Sequence, residues 1–347
     1  MDPLLDVKNL TVNFALRRAS LSADNDVSFS LKKGERMGLV GESGAGKSVT
    51  GFSLINLISK PGYIDSGSII FEGRELIGLS DEEMRHIRGN RITMIFQDPM
   101  MTLNPVLTIG TQMVETLKAH GRFSTSKAEA TAIDKLRQVQ ISSPEKRLKQ
   151  YPHEFSGGMR QRIVIAIALL TDPAMIIADE PTTALDVTIQ AEIMDLLIRL
   201  CDSSRMGLIL ITHDLGVVSE VTESIAVMYA GKIVESGPTQ SVINRPSHPY
   251  TMGLVRAIPG SIPPGNPLYQ IPGMMPTLTK IPAGCSFHPR CKYAGNICTI
   301  EIPKLTTVTN QQGEAACHMI SGRLPETDIG LLALHRRQKI SSGEIMA

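Results

Sequence analysis

The residues with the plainest chemistry are Gly41-Glu42-Ser43-Gly44-Ala45-Gly46-Lys47-Ser48, which fit the phosphate-loop spacing G-x-x-x-x-G-K-[ST]. Met37-Gly38-Leu39-Val40 reads as a short buried strand entering this loop. Residues 49–58 read as the helix leaving it, stopped by Pro61-Gly62. Glycines let backbone N–H groups curl around phosphate oxygens, and a helix N-terminus adds the positive end of its dipole. Lys47 then reaches the β- and γ-phosphates, and the Ser48 hydroxyl takes one Mg²⁺ position. A second cluster is Met175-Ile176-Ile177-Ala178-Asp179-Glu180, four apolar residues running straight into two acids. A buried central strand would deliver Asp179 to its C-terminal edge, beside the loop in a parallel sheet. Asp179 would hold Mg²⁺, mainly through water, while Glu180 polarises an attacking water. Loop and acids together describe a nucleoside triphosphate site.

Further residues stand where strands give way to loops. Gln97 follows a buried strand at 92–96, a place from which a side chain can sense a γ-phosphate. His213 follows a strand at 208–211 and can report on the same group. Ser156-Gly157-Gly158 opens an apolar helix (163–170), another helix start prepared for an anion. Thr182 to Asp186 form a loop into a helix at 189–200. Phe14 ends a first strand, read as an edge strand over 4–14 with an antiparallel partner at 26–31. It either stacks on an adenine ring or fills sheet core. Residues 67–71 read as another strand turning at Glu72-Gly73-Arg74, residues 108–147 as a helical insertion, and 224–236 as a hairpin-like finish.

The 347 residues suffice for one large domain and a smaller one. Hydrophobic content of 42% and charged content of 20% are those of an ordinary globular chain, and a formal net charge of +1 gives no reason to expect a nucleic-acid partner. No apolar run approaches the ~18 residues needed to span a bilayer, and the N-terminus lacks the regions of a signal peptide. The expectation is a cytosolic chain whose membrane role comes through partners. Of five cysteines, Cys201 sits in a helix-like run and reads as a small buried residue. Cys285, Cys291, Cys298 and Cys317 follow a Pro-rich stretch (258–282) that reads as a linker. Their spacing matches no short C-x-x-C pair, and by itself leaves zinc, an iron–sulfur cluster and free thiols open.

Together these motifs resemble the nucleotide-binding subunits of ABC transporters over residues 4–250. Gly41 to Ser48 looks like Walker A, 175–179 like Walker B with Glu180 as catalytic base, and Gln97 like the Q-loop. Ala184-Leu185-Asp186 resembles the D-loop, His213 the switch histidine, and Ser156-Gly157-Gly158 the family signature, with Phe155 where leucine is commoner. Phe96-Gln97-Asp98-Pro99-Met100-Met101-Thr102-Leu103-Asn104-Pro105, residues 178–191 and Arg245-Pro246-Ser247-His248-Pro249-Tyr250-Thr251 resemble one branch, the ATPases of bacterial dipeptide and oligopeptide importers.

The resemblance implies an α/β fold: a P-loop NTPase (RecA-like) core with an antiparallel β subdomain and a helical insertion at about 99–160, all within residues 1–250. A Pro-rich linker and four-cysteine extension would occupy 251–323, and a tail of no named counterpart, its polar end disordered, 324–347. It implies ATP and Mg²⁺, the latter at Ser48, Gln97 and Asp179. It also implies a 4Fe–4S cluster on Cys285, Cys291, Cys298 and Cys317, zinc being the alternative; Lys292 stands where that motif usually has proline. Two ATP molecules would lie between head-to-tail ATPase subunits, each on one chain's phosphate loop and closed by the other chain's Ser156-Gly157-Gly158 helix, with Asp186 also among the nucleotide-binding residues. The implied partners are a second, related ATPase, two transmembrane permease subunits and, indirectly, a periplasmic or surface solute-binding protein. The expected place is the cytoplasmic face of the bacterial inner membrane. The contrasting class is a soluble ABC ATPase acting on nucleic acid or ribosomes. The single nucleotide domain and near-neutral charge speak against it.

Overall fold

A computed structural model describes residues 2–16, 19–121, 123–183, 185–258, 269–309 and 312–323. Its core is a sheet in which β3 (Arg36–Val40), β6 (Ile92–Ile95), β7 (Met175–Asp179), β8 (Gly207–Thr212) and β9 (Ser224–Tyr229) run parallel, in the order β9-β3-β8-β7-β6. Every residue of β7 and β8 is buried, as a parallel sheet covered on both faces requires. Here β1 is Leu5–Leu16, β2 Ala19–Leu31, β4 Gly62–Phe71 and β5 Arg74–Glu75. These four form a separate antiparallel sheet, in the order β2-β1-β4-β5.

Three expectations change. The first strand is not an edge: β1 pairs with β2 on one side and β4 on the other. Reading 67–71 as a whole strand missed this, because Gly67 (φ +111°) sits at a pairing irregularity opposite Asn9 and Leu10, and β4 begins at Gly62. The helix after the phosphate loop, Lys47–Leu54, is shorter than expected. Asn56 turns left-handed (φ +50°) and the Leu57 amide donates to the Phe52 carbonyl at 2.9 Å, a closed helix end well before Pro61.

The helical insertion contains Ile109–His120, Thr125–Gln138 and Pro144–Arg147. Ile109, Met113 and Leu117 on the first, and Ala128, Ala132 and Leu136 on the second, recur at intervals of four and are buried, giving each helix one apolar stripe. These residues share one core with Gly157–Ala168, the helix opened by Ser156.

The C-terminal region is built onto the main sheet. β10 (Lys232–Pro238) runs antiparallel to β9, and β11 (Thr306–Thr307) with β12 (Glu314–Ala315) continues the sheet beyond it. The expected boundary at 250/251 falls inside the helix Pro249–Arg256, whose Tyr250 is fully buried. Within the Pro-rich stretch, the described part holds only a short 3-10 turn, Leu278–Lys280. Residues 259–268 of it, Ala184 of the D-loop and the tail 324–347 lie outside the described residues. Among the described residues no helix is long and apolar enough to cross a membrane.

Candidate nucleotide site

Lys47, Gln97, Glu180 and His213 each leave the C-terminal end of a parallel strand or the loop directly after it, so the sheet order brings them together. They line one pocket of about 660 Å³ with Gly41, Glu42, Ser43, Gly44, Gly46 and Ser48. The loop shape depends on Gly46: its φ is +110°, and a Cβ there would stand 2.6 Å from Asp24 Oδ1. Lys47 Nζ donates to the carbonyls of Gly41 at 2.8 Å and Glu42 at 3.1 Å, so the side chain folds back along its own loop. Burial pulls the Lys47 ammonium below the usual lysine range, against the opposing charges of Glu180, Asp179 and Glu42. An ammonium partly stripped of water has the more to gain from a polyphosphate.

The Ser48 hydroxyl donates to Asp179 Oδ1 at 3.1 Å. Hydroxyl and carboxylate oxygens thus meet at the end of β7, a hard-oxygen pair that fits Mg²⁺. Asp179 is buried and its carboxyl is pushed up by desolvation, with Ser48 working against the rise. Such a site favours a cation that restores the carboxylate charge.

Glu180 is the hub. It adopts a left-handed backbone (φ +45°), a strain of about 1 kcal/mol, while its amide continues the ladder to Ile211 O at 2.8 Å. Its carboxylate accepts from Gln97 Nε2 at 3.2 Å and Thr183 Oγ1 at 3.0 Å, and lies 3.0 Å from His213 Nδ1. Burial pushes its pKa up, but the hydrogen bonds from His213 and Thr183 and the charges of His213 and Lys47 outweigh it. The carboxyl rests below its usual range. Glu180 is therefore an ionised acceptor facing the phosphate loop, held by three side chains.

Other expected residues lie elsewhere. Ala45 is fully buried, and its amide donates to Glu42 O at 3.2 Å, shaping the loop from within without lining the pocket. Phe14 is half-buried, paired with Leu21 and Gly62 in the antiparallel sheet, and does not line the phosphate pocket. Ser156, Gly157, Gly158 and Asp186 do not line it either. Ser156 caps its helix by accepting from Met159 N at 3.4 Å, and Asp186 caps Val187–Ser204 by accepting from Ile189 N at 3.0 Å. The two helix starts abut: a Cβ on Gly158 would come within 2.8 Å of Ile189 Cγ2, so this contact needs a glycine. The two helix starts thus lie together, apart from the residues that line the pocket.

The four C-terminal cysteines line one small cavity together with Phe287, His248, His288 and His318. Burial pushes the Cys285 thiol up to about 12 and that of Cys291 to about 11, and neighbouring thiols add to the rise. Such a set ionises readily only where a cation compensates. Among the described residues no group of three or more His, Cys, Asp or Glu is arranged to hold a metal ion. Cys201 is fully buried and burial pushes its thiol up to about 12, as an inert core residue requires.

Sequence reasoning missed Thr183, which donates to Glu180, and Leu254 and Leu278, which line the pocket. It also missed Tyr250 and Arg290, which contact the phosphate loop from the C-terminal region. The only signal for Tyr250 was its place in Arg245 to Thr251, and Arg290 carried none.

The family described as ABC transporter matches residues 25–183, and the family described as oligopeptide/dipeptide transporter, C-terminal region, matches 234–298. A Brucella melitensis chain named as a peptide import ATP-binding protein is 49% identical over 90% of this chain and 96% of its own length. The oligopeptide transport ATP-binding protein OppD of Haemophilus influenzae is 48% identical over the same shares, 90% and 96%. Among solved structures, the dimeric ATP-binding cassette MJ0796 in a post-hydrolysis state with ADP and Pi aligns with a TM-score of 0.61 at 27% identity, covering 68% of this chain and 98% of that one. This chain belongs to the ATP-binding subunits of ABC transporters, in the branch that carries the oligopeptide/dipeptide C-terminal region.

Proposed function

We propose that this chain hydrolyses ATP to drive a bacterial importer of di- or oligopeptides or a similar small solute, acting as half of a head-to-tail pair. The observation that carries this reading is the division of the site. Lys47, Ser48, Glu180, Gln97 and His213 line one pocket, with buried Asp179 bonded to Ser48 at its floor, while Ser156-Gly157-Gly158 and Asp186 lie apart from it. One chain holds two unlike halves and completes neither. A second, related ATPase supplies the missing halves, and two permease subunits at the cytoplasmic face of the membrane receive the motion.

Within the pocket, Lys47 releases its loop carbonyls to take the terminal phosphates. Ser48 and Asp179 hold Mg²⁺, which neutralises phosphate charge when bound. Glu180 accepts a hydrogen bond from the attacking water, and His213 and Gln97, already hydrogen-bonded to Glu180, sense the γ-phosphate. Closure follows from tighter ATP binding in the paired state, and hydrolysis releases it. Phe14 is the proposed platform for the adenine ring, outside the phosphate pocket. The four cysteines carry a 4Fe–4S cluster in a structural role, a reading supported by four thiols on one cavity. Iron, sulfide and zinc content of the anaerobically purified chain decides between cluster and zinc.

The test of the transport reading is to purify the Glu180→Gln chain from membranes in Mg-ATP and identify what accompanies it. Two permease subunits and a second ATPase are expected. The chain by itself, or with ribosomes or DNA, would sink the transport reading.

A further inference from the structure

Glu42 is the only carboxylate inside the phosphate loop, and it lines the pocket that must take a polyphosphate. Its charge is met from 248 residues away in sequence. Arg290 grips it with two parallel bonds, Nη1 to Oε2 at 2.7 Å and Nη2 to Oε1 at 2.9 Å. The Arg290 side chain is only 6% exposed, and that of Glu42 29%. The rest of the guanidinium is engaged too: Nε donates to Pro272 O at 2.8 Å, and the plane lies over the rings of Tyr229 and Phe287. The backbone of Glu42 is fixed as well. Its amide donates to Tyr250 Oη at 2.8 Å and its carbonyl accepts from Lys47 Nζ. Carboxylate, amide and carbonyl of one loop residue are thus all held, two of the three by the C-terminal region.

Arg290 in turn belongs to the cysteine-lined region. It ends the turn His288–Arg290 and immediately precedes Cys291, whose amide donates to His288 O at 3.2 Å. Phe287 and Cys291 both line the cysteine cavity. A shift of this turn therefore moves the guanidinium that neutralises Glu42.

We propose that Arg290 is a positioning residue of the ATP site: it neutralises Glu42 and holds the phosphate loop open for phosphate, making the C-terminal extension a working part of that site. The proposal rests on the ATPase reading above. Removing one member of a largely buried, bidentate pair leaves the other charge uncompensated. Here that charge is negative and stands where a polyanion binds, so ATP affinity falls. Lysine would supply the charge without the planar fork.

The test is equilibrium binding of a non-hydrolysable ATP analogue with Mg²⁺ to the full chain, with melting temperature recorded for each variant. Arg290→Ala is expected to weaken binding at least about tenfold, and Arg290→Lys by less. Adding Glu42→Gln to Arg290→Ala removes the stranded charge and is expected to bring affinity back to within about threefold of wild type. A purely structural role for Arg290 would give no such rescue. Wild-type affinity in Arg290→Ala, or a double variant as weak as Arg290→Ala, overturns the proposal and leaves the ATPase reading intact. Should Arg290→Ala fail to fold, Arg290→Lys carries the same test, weakened alone and relieved by Glu42→Gln. A wild-type chain that binds no analogue overturns both.

Discussion

At the nucleotide pocket, functional side chains leave the ends of parallel strands: Lys47 after β3, Gln97 after β6, Glu180 after β7 and His213 after β8. In the cysteine extension, the thiols leave turns and one five-residue helix, Asn296–Ile300, and among the described residues two two-residue strands tie the region to the sheet. The pocket takes its geometry from backbone ladders that form whatever the pocket side chains are. The extension takes its geometry from a few packed rings, with Phe287 set edge-on to Tyr229 at 5.2 Å and tilted against Tyr250 at 5.5 Å. A substitution in the pocket should therefore remove function and spare stability, while one in the extension should remove stability first.

The largest effect is expected at Glu180. Glu180→Gln keeps the shape and a hydrogen-bonding end but loses the charge that accepts a proton, so ATP turnover should fall by about 10²- to 10⁴-fold. The melting temperature should hardly move, because the left-handed turn and the bond to Ile211 O belong to the backbone. Steady-state phosphate release and a thermal scan on the same sample check both halves. Wild-type turnover would remove Glu180 as the base.

Phe287→Ala probes the other region. The ring is 3% exposed and belongs to the main core, so truncation is expected to cost about 3–5 kcal/mol, read as a lower denaturant midpoint. ATP-analogue binding should weaken with it, because Arg290 lies over the lost ring and grips Glu42. Weakened stability with unchanged binding would separate the two regions and break the coupling between them.

This contrast also explains what the sequence made legible. A strand, a glycine-rich loop and a helix are contiguous, so Gly41 to Ser48, Asp179-Glu180 and His213 could be read locally and placed at strand ends by the logic of a parallel sheet. The convergence of Gln97, Thr183 and His213 on Glu180 needed the strand order β3-β8-β7-β6, which no local pattern encodes. The misread edge strand has the same cause: β1 shows alternation, but the number of neighbours a strand has is a property of the sheet. Arg290 was invisible because a basic residue before a cysteine has many uses. Only the fold shows that Glu42 is its partner.

The smallest expected effect lies under the loop, at Asp24. This carboxyl is fully buried, and burial pushes its pKa up to about 7. Oδ2 accepts from Thr50 Oγ1 at 3.0 Å, while Oδ1 has no hydrogen-bond partner among the described residues and faces Gly46. The folded pKa is raised above the ordinary value of 3.8, so between about pH 4 and pH 7 the folded chain keeps a proton that the unfolded chain has released. The folded state binds more protons there, and stability from this group falls as pH rises through that window and then levels off. Asp24→Asn removes the titration while leaving an oxygen for Thr50. It should match wild type near pH 4 and become the more stable chain by pH 8. Melting curves at pH 4, 6 and 8 read this directly. An advantage that did not grow with pH would mean that the Asp24 carboxylate is compensated in the fold. The ground beneath the phosphate loop would then be as well paired as Glu42 above it.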